Sequence, residues 1–576
     1  MELYKWVQPE VDDHAVSDLQ VSHDLCRPLA LALASRGLTA ETAADFLRPS
    51  LQSLSDPYSL KGTEIAAERL WRAARDRERV LIHGDYDTDG ITAAVLLSAV
   101  LSENGISSDI FLPHRIDDGY GMTVDSIDKA NCSDYSLLVT VDCGINSVEA
   151  VAAARERGLE VIVTDHHEPG DLLPDACAVI DPKLPATPEE IIDLAGVGVA
   201  FKLCHAFLKF GREHGLGGHE TDLREHLDLV ALGTVADIVP LLHENRILVR
   251  HGLPILSQQK KPGIRALCES ARLNRENLSA VDIAFRLAPR INAPGRMGDP
   301  ALSMALLTAT SMVDAGPLAD AIEQTNLRRR ELENQVVALA EAQLRSPRLP
   351  RLEASIVVCG EDWHAGVLGI VAARLSRIHH LPTVVLGRET NGALAGSVRG
   401  VPGVNVVEAL HAIGHLLERY GGHAMAAGVS LQQDRLADFA QAFDLAVKRL
   451  RTAQAQAPQL PIDGEIGISE LNDRFFEQRR WLEPFGHGHA EPRFLCRNLS
   501  PGWVARAGRE HSRGVLENCD GQSLGFVAFQ RLPESFPEPP WDLVVKPQLN
   551  TYNEKTRPQL EIVDLRASIA PRQRPS

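Results

Sequence analysis

Short apolar runs, rich in β-branched residues, recur through the first third of the chain and alternate with longer amphipathic stretches. Strands are predicted at residues 80–82, 108–113, 137–141, 161–163 and 177–181. Helical patterns at residues 91–101 and 148–157 lie between them. This alternation is typical of an open sheet of parallel strands with helices packed on its faces.

Polar residues that bind metal ions follow these runs. Three of the runs, and a fourth apolar stretch at residues 229–236, lead into acids or histidines. These residues are His83, Asp85, Asp87, Asp89, Asp142, Asp165, His166, His167 and Asp237. Ligands of parallel sheets collect beyond the carboxyl ends of the strands, so we expect these side chains at one sheet edge. Carboxylates and imidazoles there fit a phosphoesterase in which two divalent cations clamp a phosphate and activate water.

The remainder of the chain changes character several times. Residues 190–310 are predicted to be mostly helical, and the polar stretch 317–344 to be a connecting helix whose arginine run is a solvated face. A second α/β pattern has strands at 355–359, 383–386 and 393–398 and helices at 366–378 and 406–420. Residues 503–529 and 541–564 resemble the strands and turns of a small β-barrel.

These patterns predict an α/β protein with five parts. The expected parts are an N-terminal helical segment at 1–60, a parallel-sheet α/β domain at 61–310, a connecting helix at 311–350, a smaller α/β domain at 351–455 and a barrel at 456–576.

Composition narrows the class of protein. No apolar run approaches the roughly 18 residues of a membrane span, and the N-terminus shows no secretory signal, so we expect no membrane. Nine cysteines without a Cys-x-x-Cys pair argue against a zinc ribbon or a disulfide framework and favour the reduced cytoplasm. The net charge of -18 argues against nonspecific coating of nucleic acid. It permits a local grip on a few phosphates, because bound cations would offset the charge there.

The first acidic motif has a competing interpretation as an EF-hand calcium loop, because aspartates alternate along it before Gly90. Leu96 stands where that loop needs a bidentate glutamate, and the preceding segment is strand-like, so we reject it. A single acid such as Asp142 is often only a helix cap, whereas an acid followed by two histidines rarely serves packing. His83 either binds a metal or orients Asp85.

Three glycine clusters in the second α/β pattern indicate a phosphate-binding face. Residues 363–371 place glycines at a helix start, where backbone N–H groups can receive a phosphate. Ser397 and Arg399 are two apart on one strand and so share a face. Residues 421–428, which include His423, are suited to close backbone approach.

In this order the motifs resemble the DHH phosphoesterase superfamily and, within it, the single-strand-specific exonucleases, over nearly the whole chain. The triplet 165–167 is similar to the signature that names the superfamily. Residues 83–90, 141–144 and 233–240 resemble the first, second and fourth motifs, and the clusters from 363 and 421 resemble the DHH-associated domain. The resemblance implies a DHH domain, a long connecting helix, a DHH-associated domain and an OB-fold.

The resemblance also implies roles for individual residues. Metal ligands would be His83, Asp85, Asp87, Asp142, His166 and Asp237, and catalytic residues Asp142, His166, His167 and Asp89. Substrate-binding residues would be Arg115, which would face DNA, then Arg296, Ser397 and Arg399, which would grip the 5′ phosphate, and also His423. The chain has His489 where the family usually has asparagine, which puts local detail near the OB-fold in question.

The implied activity is 5′-to-3′ removal of mononucleotides from single-stranded DNA in DNA repair and recombination. Two Mn²⁺ or Mg²⁺ ions would share Asp142, and His167 would act as an orienting group or an acid. The implied partners are a single-strand binding protein and a helicase, with the enzyme itself a monomer in the cytoplasm. Open alternatives are a DHH enzyme for short oligonucleotides or cyclic dinucleotides, a catalytically inactive strand-binding scaffold and, more distantly, a pyrophosphatase.

Overall fold

The computed structural model describes residues 4–114, 121–130, 132–273, 276–346, 352–389, 392–451, 459–518, 521–552 and 555–568. The chain forms two compact units, one comprising Met1–Leu54 with Gln456–Ser576 and the other Ser55–Ala455. Every helix in the described ranges is too short or too polar to span a membrane.

Helices and strands occur in both units. In chain order, the strands are β1 (Lys5–Val7), β2 (Arg79–Gly84), β3 (Ser107–Phe111), β4 (Leu137–Val141), β5 (Glu160–Thr164), β6 (Ala178–Ile180), β7 (Ile356–Gly360), β8 (Thr383–Arg388), β9 (Leu394–Arg399), β10 (Arg419–His423), β11 (Ala426–Leu431), β12 (Gln459–Pro461), β13 (Gly464–Glu465), β14 (Phe494–Ala507), β15 (His511–Glu517), β16 (Ser523–Ala528), β17 (Trp541–Tyr552) and β18 (Lys555–Ala567). The helices are α1 (Asp13–His23), α2 (Arg27–Ala34), α3 (Ala40–Leu47), α4 (Thr63–Asp76), α5 (Thr88–Glu103), α6 (Val124–Lys129), α7 (Val148–Glu156), α8 (Gly196–Glu213), α9 (Leu227–Ala236), α10 (His243–Gln258), α11 (Pro262–Ser270), α12 (Ala280–Asp282), α13 (Ala288–Met297), α14 (Ala301–Thr308), α15 (Met312–Leu344), α16 (Ala365–His379), α17 (Val406–His411), α18 (Leu436–Leu450) and α19 (Asp473–Arg479).

A five-stranded sheet organises the first half of the larger unit. Its order is β3-β2-β4-β5-β6 and every pairing is parallel, as the apolar runs predict. On one face, Leu138 and Val161 pack against Val151 and Ala154 of α7, and all five residues of β4 are buried. Both faces of the sheet are therefore covered, which explains why the runs are apolar throughout rather than alternating. Because β2, β4 and β5 are neighbours, the residues that follow them lie side by side at one edge.

The fourth apolar stretch is not a strand. Residues 227–236 form α9, and Asp237 is the C-cap of that helix. Grouping this stretch with the three strands that end at the sheet edge was wrong about the type of element, because a continuous apolar run has the same pattern in a buried helix as in a buried strand. Residues 227–235 are all buried, so the run carries no amphipathic period.

The long helix α15 leaves this domain, and it begins at Met312, earlier than residue 317. The interpretation of its arginine run as a solvated face was wrong for Arg329, which is 9 % exposed. Its guanidinium donates to Asn326 at 3.1 Å and to Glu333 at 3.3 Å. The run therefore contributes to packing as well as to the surface.

The second sheet of the larger unit also has five strands, in the order β10-β11-β9-β8-β7, with β7 and β8 parallel and the other pairs antiparallel. The prediction of a helix over 406–420 was wrong, because α17 ends at His411 and Tyr420 lies in β10. Gly414 and Gly421 weaken a helix there. Pairing of residues 419–423 with β11 then decides the conformation.

The smaller unit is a β-barrel joined to the N-terminal segment. Its strands follow the order β13-β14-β15-β16-β18-β17, and β14 also pairs with β17, which closes the barrel. Leu19 and Leu29 of the N-terminal helices share one core with Phe494 and Trp541 of the barrel, and β1 pairs with β12. The first 54 residues thus pack with the far end of the chain.

Candidate metal centre

A loop with two carboxylates, Asp85 and Asp87, links β2 to α5, and a third, Asp89, lies in the first turn of α5. Asp87 caps α5, and its Oδ1 accepts hydrogen bonds from the N–H groups of Asp89 at 2.9 Å and Gly90 at 3.2 Å. A Cβ on Gly90 would lie 2.6 Å from the backbone of Asp85, so only glycine allows α5 to begin this close to the loop. The positive end of the α5 dipole favours the carboxylates that gather there.

Asp89 faces the start of α8. Its two carboxylate oxygens accept hydrogen bonds from the N–H groups of Gly196 at 2.6 Å and Val197 at 2.9 Å. A Cβ on Gly196 would lie 2.6 Å from Oδ1 of Asp142, so glycine is required there. Sequence reasoning missed this contribution of α8. The signal was the pair of glycines, Gly196 and Gly198, at the start of an apolar helix.

Asp142 and His166 form the middle of the site. Asp142 follows β4 with φ of +60°, a strained conformation for a residue with a side chain. Nε2 of His166 lies 3.1 Å from Oδ1 of Asp142, 3.6 Å from Oδ2 of Asp237 and 4.0 Å from Oδ2 of Asp89. Nε2 of His166 and Oδ1 of Asp142 are buried, and neither has a hydrogen-bond partner among the described residues.

Asp165 orients the second histidine. Its Oδ1 lies 2.6 Å from Nδ1 of His167, and its Oδ2 accepts a hydrogen bond from the N–H of Ile145 at 2.9 Å. Burial alone would lower the pKa of His167, but the bond to Asp165 and the surrounding acids raise it to about 9. Sequence reasoning placed Asp165 among the side chains that bind metal ions, whereas none of the groups that could hold an ion within the described residues includes it. The structure shows that it fixes the ring and charge of its neighbour.

These side chains fit hard divalent cations. Within the described residues, three groups each bring ligand atoms within 4.8 Å of one another. The groups are Asp85, Asp87 and Asp142; Asp142, His166 and His167; and Asp89, His166 and Asp237. Burial, and then the charges of neighbouring acids, raise the pKa values of Asp89, Asp142 and Asp237. Cations would relieve both causes, and oxygen with imidazole ligands suits Mn²⁺ and Mg²⁺.

One predicted metal ligand, His83, is not among the residues that this centre brings together. The ring of His83 is buried, with Nε2 3.1 Å from Oγ of Ser126 and Nδ1 3.7 Å from Sγ of Cys143, and none of the three groups includes it. Its place beside Asp85 suits an orienting role better than direct ligation. Arg115 lies outside the described residues.

The predicted phosphate residues gather around the start of α16. Arg399 donates from Nη1 to Oγ of Ser397 at 2.7 Å on β9, and a Cβ on Gly369 of α16 would lie 3.1 Å from Nη2 of Arg399. His423 pairs with Ala426 across the hairpin, and Ala426 pairs with Arg399, so the three share one sheet face. The carbonyl of Arg296 lies against Gly366, where any Cβ would collide with it.

The electrostatics of the centre predict how pH affects the metal-free protein. Burial and neighbouring acids raise the pKa of Asp89 to about 7 and of Asp237 to about 9. A carboxyl group with a pKa raised on folding stabilises the fold at low pH and loses that contribution as pH rises through its folded pKa. The raised pKa of His167 acts in the same direction. Stability should therefore fall from about pH 4 to about pH 7 through Asp89, from about pH 4 to about pH 9 through Asp237, and from about pH 6.5 to about pH 9 through His167. Each group contributes up to about 1.4 kcal/mol per pH unit within its window.

Thermal unfolding across this pH range, in chelator and in excess Mn²⁺, measures the effect. We expect stabilisation by Mn²⁺ to grow with pH, because the metal requires ionised ligands. Equal pH slopes with and without Mn²⁺ would contradict a metal centre built from these groups.

Comparisons with known proteins agree with the geometry. Family models match residues 79–234 (DHH family, N-terminal domain), 353–449 (DHHA1 domain) and 462–564 (RecJ OB domain). The single-stranded-DNA-specific exonuclease RecJ of Bacillus subtilis is 33% identical over 573 residues, which cover 98% of this chain and 71% of that protein. RecJ of Escherichia coli is 37% identical over 473 residues, covering 80% of this chain and 82% of that protein.

A solved structure shows the same likeness. The crystal structure of Thermus thermophilus RecJ in complex with Mn²⁺ superposes with a TM-score of 0.84 at 29% identity, covering 99% of this chain and 80% of that one. A second structure of that protein, in complex with Mg²⁺, gives a TM-score of 0.78 at 27% identity, covering 99% of this chain and 79% of that one. The three matched regions correspond to the parallel-sheet domain, the smaller α/β domain and the barrel.

Proposed function

Because this chain belongs to the RecJ family of single-stranded-DNA-specific exonucleases, we propose that it removes mononucleotides from the 5′ end of single-stranded DNA. The observation that carries the proposal is the convergence of three side chains: carboxylate oxygens of Asp142 and Asp237 lie within 3.6 Å of Nε2 of His166. They come from a strand end, a second strand end and a helix end, so the cluster is a product of the fold rather than of local sequence.

The side chains of the centre divide the chemical tasks. Asp85, Asp87, Asp142, His166 and Asp237 would hold two divalent cations. When bound, these cations supply charge stabilisation and activate water for attack on phosphorus. The lowered pKa of His166, caused mainly by burial, keeps its ring neutral, which is the state that binds a metal.

His167 exchanges a proton with the substrate and stabilises negative charge during the reaction. Its Nδ1 is held by Asp165, so any proton that the ring exchanges with a substrate moves through Nε2. With its pKa raised to about 9 by Asp165, the ring is positively charged at neutral pH. A charged imidazole beside a phosphodiester stabilises the developing negative charge of the reaction.

The 5′ polarity is assigned to the smaller α/β domain. Ser397 and Arg399 lie beside the start of α16, which supplies a positive helix end, and an arginine with a hydroxyl suits a terminal phosphate. Arg296 and His423 border the same place, and Arg115 would contact the strand. A grip on the terminal phosphate sets the direction from which nucleotides are removed.

The proposed substrate, single-stranded DNA, suggests where the enzyme acts and with which partners. We place the enzyme in the cytoplasm as a monomer that acts in DNA repair and recombination. A helicase would supply unwound strands, and a single-strand binding protein would hold them. The closed barrel would bind the trailing strand by stacking and by local positive charge. Binding should weaken as salt rises, since phosphate contacts release counterions.

A time course on strands labelled at either end tests the proposal. With Mn²⁺, a 5′-labelled single strand should release labelled mononucleotide from the first time points, whereas a 3′-labelled strand should shorten progressively. A matched duplex should remain intact. Release of mononucleotide first from the 3′ label would exclude the proposed polarity.

The same assay separates the main alternative. An enzyme for short oligonucleotides or cyclic dinucleotides would cut a dinucleotide and leave a long strand intact. The barrel, which matches the RecJ OB model over residues 462–564, favours the long strand as substrate.

A further inference from the structure

An asparagine of helix α13 holds the start of α5, directly after the loop that carries Asp85 and Asp87. Oδ1 of Asn292 accepts two hydrogen bonds from Thr88, one from its N–H at 2.8 Å and one from its hydroxyl at 2.9 Å. Thr88 lies between Asp87 and Asp89 and is 1% exposed. One amide oxygen on a neighbouring helix therefore holds the residue at which the loop joins α5.

The backbone bond matters because of where Thr88 stands in α5. It is the first residue of that helix, and the first N–H groups of a helix have no acceptor within the helix. Asp87 accepts from the next two N–H groups, so Asn292 completes the capping from outside the segment. Without it, a buried donor would lose its acceptor where water cannot replace it, and the loop would have to move.

Helix α13 is itself firmly held. The hydroxyl of Ser303 donates to the carbonyl of Ile291 at 2.8 Å, and Arg290 pairs with Glu323 of α15 at 2.7 Å. A Cβ on Gly295 would lie 2.8 Å from the carbonyl oxygen of Tyr86, so glycine lets α13 approach the loop closely. The loop thus rests on a fixed surface.

We propose that Asn292 is a positioning residue for the metal centre: it fixes the loop through Thr88 so that the carboxylates of Asp85 and Asp87 face Asp142. This role of Asn292 rests on the proposed function in one respect only, which is the reaction that the bound metals catalyse. Arg296 lies one helical turn beyond Asn292 on the same face of α13. The helix therefore joins the metal-binding loop to the residues assigned to the terminal phosphate.

Mn²⁺ binding by the full chain without DNA tests this role. Asn292→Leu keeps the side-chain volume and removes the acceptor, and we expect its Mn²⁺ affinity to fall by about tenfold or more. Calorimetric titration of the metal-free protein measures this directly. Affinity for a 5′-phosphorylated strand in chelator should stay within about twofold of wild type, because the phosphate residues are unchanged.

Asn326→Leu is the matched control. Like Asn292, which is half-buried, Asn326 has an amide oxygen that accepts a side-chain bond, in its case from Arg329 at 3.1 Å, but it is buried and lies on α15. It should lower thermal stability and leave Mn²⁺ affinity unchanged. A folded Asn292→Leu protein that binds Mn²⁺ like wild type would overturn the proposal.

A second pair of variants decides the question if Asn292→Leu does not fold. Thr88→Val removes only the hydroxyl group, which donates to Asn292 at 2.9 Å and to the carbonyl of Ala288 at 3.4 Å, both on α13, whereas Thr88→Ser keeps it. We expect weaker Mn²⁺ binding for Thr88→Val than for Thr88→Ser, and equal affinities would overturn the inference. A wild-type protein that binds Mn²⁺ but degrades no single strand would instead refute the proposed function and leave this inference intact.

Discussion

Asp142→Asn is expected to reduce exonuclease turnover by about a thousandfold or more, because several kcal/mol of charge stabilisation are lost when a shared metal ligand is removed. The change keeps the shape of the side chain. Asp142 lies against Gly196 with little space, so the isosteric amide is a cleaner test than alanine. Single-turnover cleavage of a 5′-labelled strand in saturating Mn²⁺ gives the rate.

The same substitution should make the metal-free protein more stable at alkaline pH. Burial and the charges of nearby acids, Asp89 first, raise the pKa of Asp142, so its ionisation destabilises the fold as pH rises. Asp228→Asn is the control. Asp228 is a buried acid at the start of α9, at the opposite end of that helix from Asp237, and it pairs with Lys261 at 2.6 Å. It should lower stability without changing turnover. Wild-type turnover in Asp142→Asn would refute the assignment of the metal ligands.

Arg399→Ala is expected to lower kcat/KM on 5′-phosphorylated strands by about a hundredfold, since truncating one partner of a close charged contact costs about 2–5 kcal/mol. Binding of a circular single strand, which has no 5′ end, should change by about twofold or less. The ratio of the two losses is the informative quantity. A terminal-phosphate pocket predicts a large ratio, and a general strand-binding surface predicts a ratio near one.

Arg388→Ala supplies the comparison for this experiment. Arg388 ends the neighbouring strand β8 and pairs with Glu361 at 2.9 Å, so it matches Arg399 in type and domain. Both substrates should be used as well as by wild type. Equal losses on 5′-phosphorylated and circular strands in Arg399→Ala would remove the basis for the proposed polarity.

The parallel sheet and the heart of the site could be predicted from the sequence. Apolar runs precede Asp85, Asp142 and His166, and these residues are expected to meet because parallel strands present their carboxyl ends at one edge of the sheet. The alternation of strand and helix patterns in the sequence predicted neither the order of the strands in the sheet nor the distances between these side chains. The resemblance supplied the assignment of residues, and the structure then placed Asp142 and His166 at 3.1 Å.

The elements that sequence reasoning missed depend on contacts between distant segments. Asp237 reaches the site from the end of α9, and a uniformly buried helix carries no period that distinguishes it from a strand. Gly196 and Asn292 contribute through a close approach and a hydrogen bond to loops more than 50 residues away in sequence. The association of the first 54 residues with the barrel likewise depends on shared core packing, which no local pattern records.

Anomalous diffraction from crystals soaked in Mn²⁺ tests the central claim most directly. Two peaks should appear at coordination distance from the carboxylate of Asp142, one towards Asp85 and Asp87 and the other towards His166 and Asp237. Crystals of Asp142→Asn treated in the same way should show at most one of them. Wild-type crystals with no peak between these side chains, or with Mn²⁺ bound only elsewhere, would contradict the account.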